Sequence, residues 1–297
     1  MQNTCSLCPR DCGADRDHSF GICQVSNTVK VARAALHFWE EPCISGENGS
    51  GAVFFSGCPL HCVFCQNEEI SHGKVGKEIT TEQLSDIYLN LQNQGANNIN
   101  LVTGTHFIPA IVESVKMARK NGLRIPIVYN TSGYEKVESL KLLDGIVNAY
   151  LPDFKYLDSD LAGKYSHASD YPEVAKQAIG EMVRQCPNPA FDDNGFITSG
   201  VIVRQLLLPG HVRDSKAVIE YLYKKYGDSI FISLMSQYTP MEQVAEAFTE
   251  LNRRVTKREY DSVVNYALGL GITNAFIQDR RVAKESFIPD FNCEGIL

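Results

Sequence analysis

Three cysteines within eight residues, in Cys58-Pro59-Leu60-His61-Cys62-Val63-Phe64-Cys65, are the sharpest chemical signal in the sequence. Their C-x3-C-x2-C spacing lets one short loop present three thiolates close together, enough to hold three irons of a [4Fe–4S] cube. Such a cluster normally takes four cysteines, so its fourth iron would stay open to an exogenous ligand. An open coordination position permits chemistry where a closed one permits only electron transfer. The competing reading is a structural zinc site completed by His61 or His72, although zinc sites usually pair C-x2–4-C with a distant second pair. A second group, Cys5, Cys8, Cys12 and Cys23, follows C-x2-C-x3-C-x10-C. Four thiolates suffice for a zinc ion or for a second, fully ligated iron–sulfur cluster, and spacing does not decide between them. Cys43, Cys186 and Cys293 have no partner at ligand spacing.

Ten cysteines in 297 residues, eight of them before residue 66, are too few and too unevenly placed for a disulfide scaffold. In a reducing compartment such clusters bind metal or carry out redox chemistry. Apolar residues make up 44% and charged residues 21%, the balance of a globular chain. Lys and Arg number 28 against 35 Asp and Glu, a formal charge of −7 that disfavours a nucleic-acid partner. No apolar run approaches the roughly 18 residues of a membrane span. The first residues lack a charged-then-apolar signal plan, so a cytoplasmic location is expected.

These thiols need a scaffold. Short apolar runs, often β-branched, recur at 52–56, 99–103, 125–131, 147–154, 201–208 and 230–234. Helical segments fall between them. Thr80 and Gln83 have capping-box spacing ahead of a Leu84, Ile87, Tyr88, Leu91 stripe, and 108–120 ends at Asn121-Gly122. Segments 135–143, 172–184 and 214–226 fill the other gaps. Strand–helix alternation implies parallel strands joined by crossovers. Six units are short of the eight in a complete barrel of about 250 residues, so an α/β fold with a partial (β/α)6 barrel over 51–238 is expected; a flat doubly wound sheet is the alternative. Residues 1–50 lack clear periodicity and read as a Cys-rich, metal-binding extension. Residues 239–297 read as a helical, then irregular extension, with a second capping box at Thr256 and Glu259.

The triad on the loop after the first barrel strand, with aromatic Phe64 before the last cysteine, resembles the radical SAM superfamily. The resemblance is closest to its pyruvate formate-lyase activating enzyme-like branch. It extends over Cys5-Ser6-Leu7-Cys8-Pro9-Arg10-Asp11-Cys12-Gly13, Ser56-Gly57-Cys58 through Gln66-Asn67, Tyr129-Asn130-Thr131-Ser132-Gly133-Tyr134, Leu151-Pro152-Asp153-Phe154-Lys155-Tyr156 and Leu234-Met235-Ser236-Gln237-Tyr238. The resemblance implies a [4Fe–4S] cluster on Cys58, Cys62 and Cys65. Its open iron would be chelated by S-adenosylmethionine, which one electron would cleave to a 5′-deoxyadenosyl radical that abstracts hydrogen. It also implies a low-potential donor, flavodoxin or ferredoxin, and a glycyl radical enzyme as a candidate partner. Related enzymes carry extra clusters after the radical motif, whereas Cys5, Cys8, Cys12 and Cys23 precede it.

Ligands bind outside the carboxyl ends of parallel strands, so each strand end supplies candidates. Leu60, Val63 and Phe64 would keep water from the cluster. Thr103, Gly104 and Thr105 stand where the family carries a Gly-Gly-Glu-type turn and offer carbonyls and hydroxyls; His106 is a ligand or a helix-start residue. Asn130 and Ser132 are candidate ligand contacts on the next strand, Asn130 the stronger, and the plainer reading is helix capping by Ser132 or Thr131. Asp153 and Lys155 flank Phe154 and so point to one side. In related enzymes a Lys here reaches the S-adenosylmethionine carboxylate; the plainer reading is a structural ion pair. Arg204 interrupts an apolar strand and needs a partner, either the cofactor or Asp153. Gln237 and Tyr238 are candidates for the same mouth, as are Trp39 and the Glu40-Glu41 pair. Three functions compete. The first is a glycyl radical activase. The second is a radical enzyme acting directly on a small molecule, peptide or RNA. The third is a non-catalytic iron–sulfur electron-transfer or zinc-binding protein.

Overall fold

A computed structural model describes residues 4–241, 244, 247–278 and 289–296. Its centre is a ten-stranded sheet: β1 (Val29–His37), β2 (Ser50–Phe55), β3 (Lys77–Ile79), β4 (Ile99–Val102), β5 (Ile127–Thr131), β6 (Ala149–Pro152), β7 (Ala190–Phe191), β8 (Ile197–Leu206), β9 (Phe231–Met235) and β10 (Ala275–Ile277). The order is β10-β9-β8-β6-β5-β4-β2-β1-β3, with β7 an antiparallel branch on β8. The run from β2 to β10 is parallel throughout, and β1 pairs antiparallel with β2 and β3. The six expected strands are present and form the open, partial barrel.

Around it lie α1 (Pro42–Ser45), α2 (Glu68–Ser71), α3 (Thr81–Asn93), α4 (Ile108–Lys120), α5 (Val137–Leu140), α6 (Ser159–Ser166), α7 (Tyr171–Gln185), α8 (Val212–Tyr226) and α9 (Lys257–Gly269). Helix α3 opens with the Thr80–Gln83 capping box and buries Leu84, Ile87, Tyr88 and Leu91. Helix α9 opens with the Thr256–Glu259 box and packs against α8. All six residues of β2 and all five of β5 are buried. Crossover helices cover one face and the barrel interior covers the other, which is why these strands read as unbroken apolar runs.

Four strands lie outside the sequence reading: the short β3 and β7, and β1 and β10. β1 lies in the segment that lacks periodicity, because a register shift between Val31 and Arg33 breaks its alternation. β10 adds a seventh parallel strand of three residues in the C-terminal segment. Beyond it, the tail runs along β1. Ala34 N–H donates to Glu294 O at 2.9 Å, Cys293 N–H to Ala32 O at 3.0 Å, and Arg33 pairs with Glu294 at 2.6 Å. The described tail therefore packs on β1, the antiparallel neighbour of β2. Among the described residues no helix is long and apolar enough to cross a membrane.

Candidate functional site

Strand β2 leads into the cysteine loop through Gly57, whose φ of 90° suits glycine alone. A Cβ there would sit 2.6 Å from Cys23 O. The loop is tied at both ends: Cys58 N–H donates to Cys23 O at 3.3 Å and Val63 N–H to Tyr165 O at 2.9 Å. Leu60 N–H points at Cys58 Sγ at 3.4 Å, and Ser166 Oγ donates to Cys62 Sγ at 3.0 Å. Burial and the neighbouring Cys62 push the Cys58 thiol up to about 11; burial, then Cys58 and Cys62, push Cys65 to about 12. Left alone, those two thiols stay protonated at neutral pH, and a thiophilic metal is what would ionise them.

The donor set fits an iron–sulfur cluster. Three sulfurs come from one loop, two of them receive hydrogen bonds of the kind that tune such clusters, and Leu60 and Phe64 wall them off, buried to 1% and 7% exposure. The alternative zinc ligands point elsewhere: His61 Nε2 meets Ile22 O at 2.8 Å, and its ring lies 4.7 Å from that of His72. Among the described residues no three His, Cys, Asp or Glu side chains stand at single-ion spacing.

All three cysteines face a cavity of about 230 Å³ inside the barrel. Its other walls include Phe64, Thr103, Asn130, Ser132, Asp153, Lys155 and Arg204, together with Trp39, Glu40 and Gln237. The strand ends thus deliver most of the sequence candidates to one place. Gly104 and Thr105 are set elsewhere: a Cβ on Gly104 would lie 2.5 Å from Ile111, and Thr105 Oγ1 donates to Glu135 at 2.7 Å. His106 is buried in the short 3-10 turn ahead of α4, with Nε2 2.7 Å from Ser56 O. Tyr238 packs behind Phe64 with ring centroids 6.3 Å apart. Glu41 is buried beside the cavity rather than in it, and burial raises its carboxyl. Thr103, β-branched, holds a φ of 60°, a left-handed conformation that costs about 1–3 kcal/mol and concentrates at functional sites.

A charged network lies on the cavity wall. Lys155 Nζ donates to Asp153 Oδ2 at 2.6 Å; Arg204 donates to Asp153 Oδ1 at 3.0 Å, to Glu40 Oε2 at 3.1 Å and to Asn130 Oδ1 at 2.6 Å. Glu40 Oε1 accepts from Asn100 and Asn130, each at 3.0 Å. Burial opposes the Asp153 charge, but Lys155 and Arg204 outweigh it and hold the carboxyl below its ordinary range. Burial likewise opposes Lys155 and Arg204, and Asp153 outweighs it in both, with Glu40 aiding Arg204. The result is two cations and two anions paired with one another beside the thiols. Arg204 therefore takes Asp153 as partner, and also Glu40, which the sequence marks only through its place in an acidic pair.

Deeper in the wall, Glu135 Oε1 accepts from Thr105, Tyr129 and Thr131, and burial lifts the carboxyl to about 7 against those three hydrogen bonds. Cys5, Cys8, Cys12 and Cys23 sit together in the segment before β1, against the back of the cysteine loop.

Residues 52–187 match the family model of the Radical SAM superfamily. An uncharacterized protein of Methanocaldococcus jannaschii is 27% identical over 274 residues, 89% of this chain and 74% of that protein. The pyruvate formate-lyase-activating enzyme of Clostridium pasteurianum is 25% identical over 149 residues, 47% of this chain and 61% of the enzyme. Among solved structures, Streptococcus suis SuiB bound to S-adenosylmethionine superimposes with a TM-score of 0.51 at 11% identity, covering 75% of this chain and 48% of SuiB, a likeness of fold.

Proposed function

From the match of residues 52–187 to the Radical SAM family model, we propose that the protein binds a [4Fe–4S] cluster on Cys58, Cys62 and Cys65 and S-adenosylmethionine beside it. Such a cluster, when bound and reduced, supplies the electron that releases a 5′-deoxyadenosyl radical for hydrogen abstraction. The observation that carries the reading is the convergence of the three thiols with Asn130, Asp153, Lys155 and Arg204 on one cavity. Lys155 takes the methionyl carboxylate in a charge-assisted bond while Asp153 keeps it oriented. Arg204, neutralised by Asp153 and Glu40, fixes Asn130 as a polar contact. Phe64 and Leu60 exclude water from the sulfurs.

The preferred substrate is a glycyl position of a partner enzyme, with a flavodoxin or ferredoxin as electron donor. Likeness to a pyruvate formate-lyase-activating enzyme supports this. Anaerobic mixing with a glycyl radical enzyme, reductant and S-adenosylmethionine tests the reading. A glycyl radical doublet by EPR is expected. No doublet, together with steady 5′-deoxyadenosine formation driven by an added small molecule, would assign the direct reaction instead.

A further inference from the structure

The segment before β1 has almost no regular structure. Among its described residues the one pairing is an isolated bridge between Thr4 and Asp15. Yet its backbone is folded tightly. Asp11 N–H donates to Cys8 O at 3.1 Å, Gly13 N–H to Cys5 O at 3.2 Å and Gln24 N–H to Gly21 O at 2.9 Å. Asp11, Gly13 and Gln24 hold φ values of 41°, 61° and 64°, left-handed positions that flank Cys12 and follow Cys23. Arg16, which donates to Val25 O, Ser26 O and His106 O, already helps to hold these turns, and a metal cross-link would fix the thiols beside them.

The thiols themselves are gathered. Cys8 has Cys5 and Cys23 as electrostatic neighbours, and Cys23 has Cys5 and Cys12. A Cβ on Gly21 would lie 3.2 Å from Cys23 Sγ and 3.5 Å from Cys12 Sγ, so the missing side chain leaves a hollow between two sulfurs. All four are free thiols. The segment is pressed against the cluster loop by backbone contacts: Cys23 O receives Cys58 N–H, Ile22 O meets His61 Nε2 at 2.8 Å, and Arg10 Nε donates to Pro59 O at 2.8 Å.

We propose that Cys5, Cys8, Cys12 and Cys23 bind a second, closed metal centre through four thiolates, and that this centre braces the loop carrying Cys58, Cys62 and Cys65. An iron–sulfur cluster is the ligand class, because no three of these thiols stand at the spacing of a single ion. With all four positions filled by protein it leaves no open coordination for chemistry and acts by holding the Cys23 carbonyl under Cys58. The centre is independent of the radical reading; only the meaning of the braced loop rests on it.

The test is metal and sulfide analysis of anaerobically purified full-length protein carrying Cys58→Ala, Cys62→Ala and Cys65→Ala together. Iron and sulfide for one cluster support the centre, and zinc without sulfide overturns it. A metal-free triple variant overturns it, even if the wild type cleaves S-adenosylmethionine. Wild-type protein gives a second readout that needs no variant. Cys12 is exposed, so as a free thiol it would alkylate at once. Protection that is lifted by a chelator is expected. Immediate alkylation, or protection lifted by reductant alone, overturns the proposal. In a Cys5→Ser/Cys8→Ser variant, amide exchange at 57–65 should rise at least several-fold; unchanged exchange would overturn the brace.

Discussion

Replacing Glu40 by Gln removes one charge from the cavity network and leaves its shape. Glu40 Oε2 lies 3.1 Å from Arg204 Nη1, and the two side chains are 10% and 13% exposed. At an effective dielectric of about 20 their attraction is about 5 kcal/mol before desolvation. In the variant, Oε1 keeps its two asparagine donors, so the amide nitrogen is turned toward the guanidinium, donor against donor. Breaking one partner of a buried pair costs about 3–5 kcal/mol. At roughly 2 °C per kcal/mol for a chain of this size, the melting midpoint should fall by about 6–10 °C. Differential scanning calorimetry on the apo protein measures it. The double variant Glu40→Gln/Arg204→Met should lose less than the two singles combined, because Arg204 no longer needs the anion. A single variant within 1 °C of wild type, or strict additivity, would refute the network as described.

Other outcomes follow from the same geometry. Burial raises Glu135 to about 7 from an ordinary 4.5, so the folded state holds its proton more tightly than the unfolded state. Its contribution, about 3 kcal/mol, is full below about pH 4.5 and is lost as pH rises through about 7. The stability difference between wild type and Glu135→Gln, from urea titrations at pH 5 and 8, should therefore shift against wild type at the higher pH. Gly133→Ala places a Cβ 2.2 Å from Asp153 O at a φ of 77°; a loss of at least about 2 kcal/mol is expected in denaturant unfolding. Thr256→Ala removes the cap that accepts Glu259 N–H at 3.2 Å and should cost about 1 kcal/mol by the same measurement.

The parallel core was legible because strands covered on both faces are continuous apolar runs, and because Thr80–Gln83 and Thr256–Glu259 announce their helices. β1 was not, since its bulge erases the period-2 signal. The strand-end rule brought Asn130, Ser132, Asp153, Lys155 and Arg204 to the cavity, but it cannot tell which side of a strand end turns inward. Gly104 and Thr105 therefore passed as candidates although Ile111 and Glu135 receive them. Glu40 was weakly marked because it reaches the barrel interior from outside the strand–helix units, through a segment with no pattern of its own. Thr103 also reaches the cavity as the strand-end rule expects, but its left-handed φ of 60° carries no sequence signal.

The central claim is that Cys58, Cys62 and Cys65 carry a cluster that works on S-adenosylmethionine held by Lys155. Anaerobically reconstituted protein, given dithionite and S-adenosylmethionine, is assayed by chromatography for 5′-deoxyadenosine and methionine. Equal amounts of both products from wild type, and none from Cys62→Ala, are predicted. Product from Cys62→Ala at the wild-type rate, or none from wild type carrying a full complement of iron and sulfide, would contradict the account.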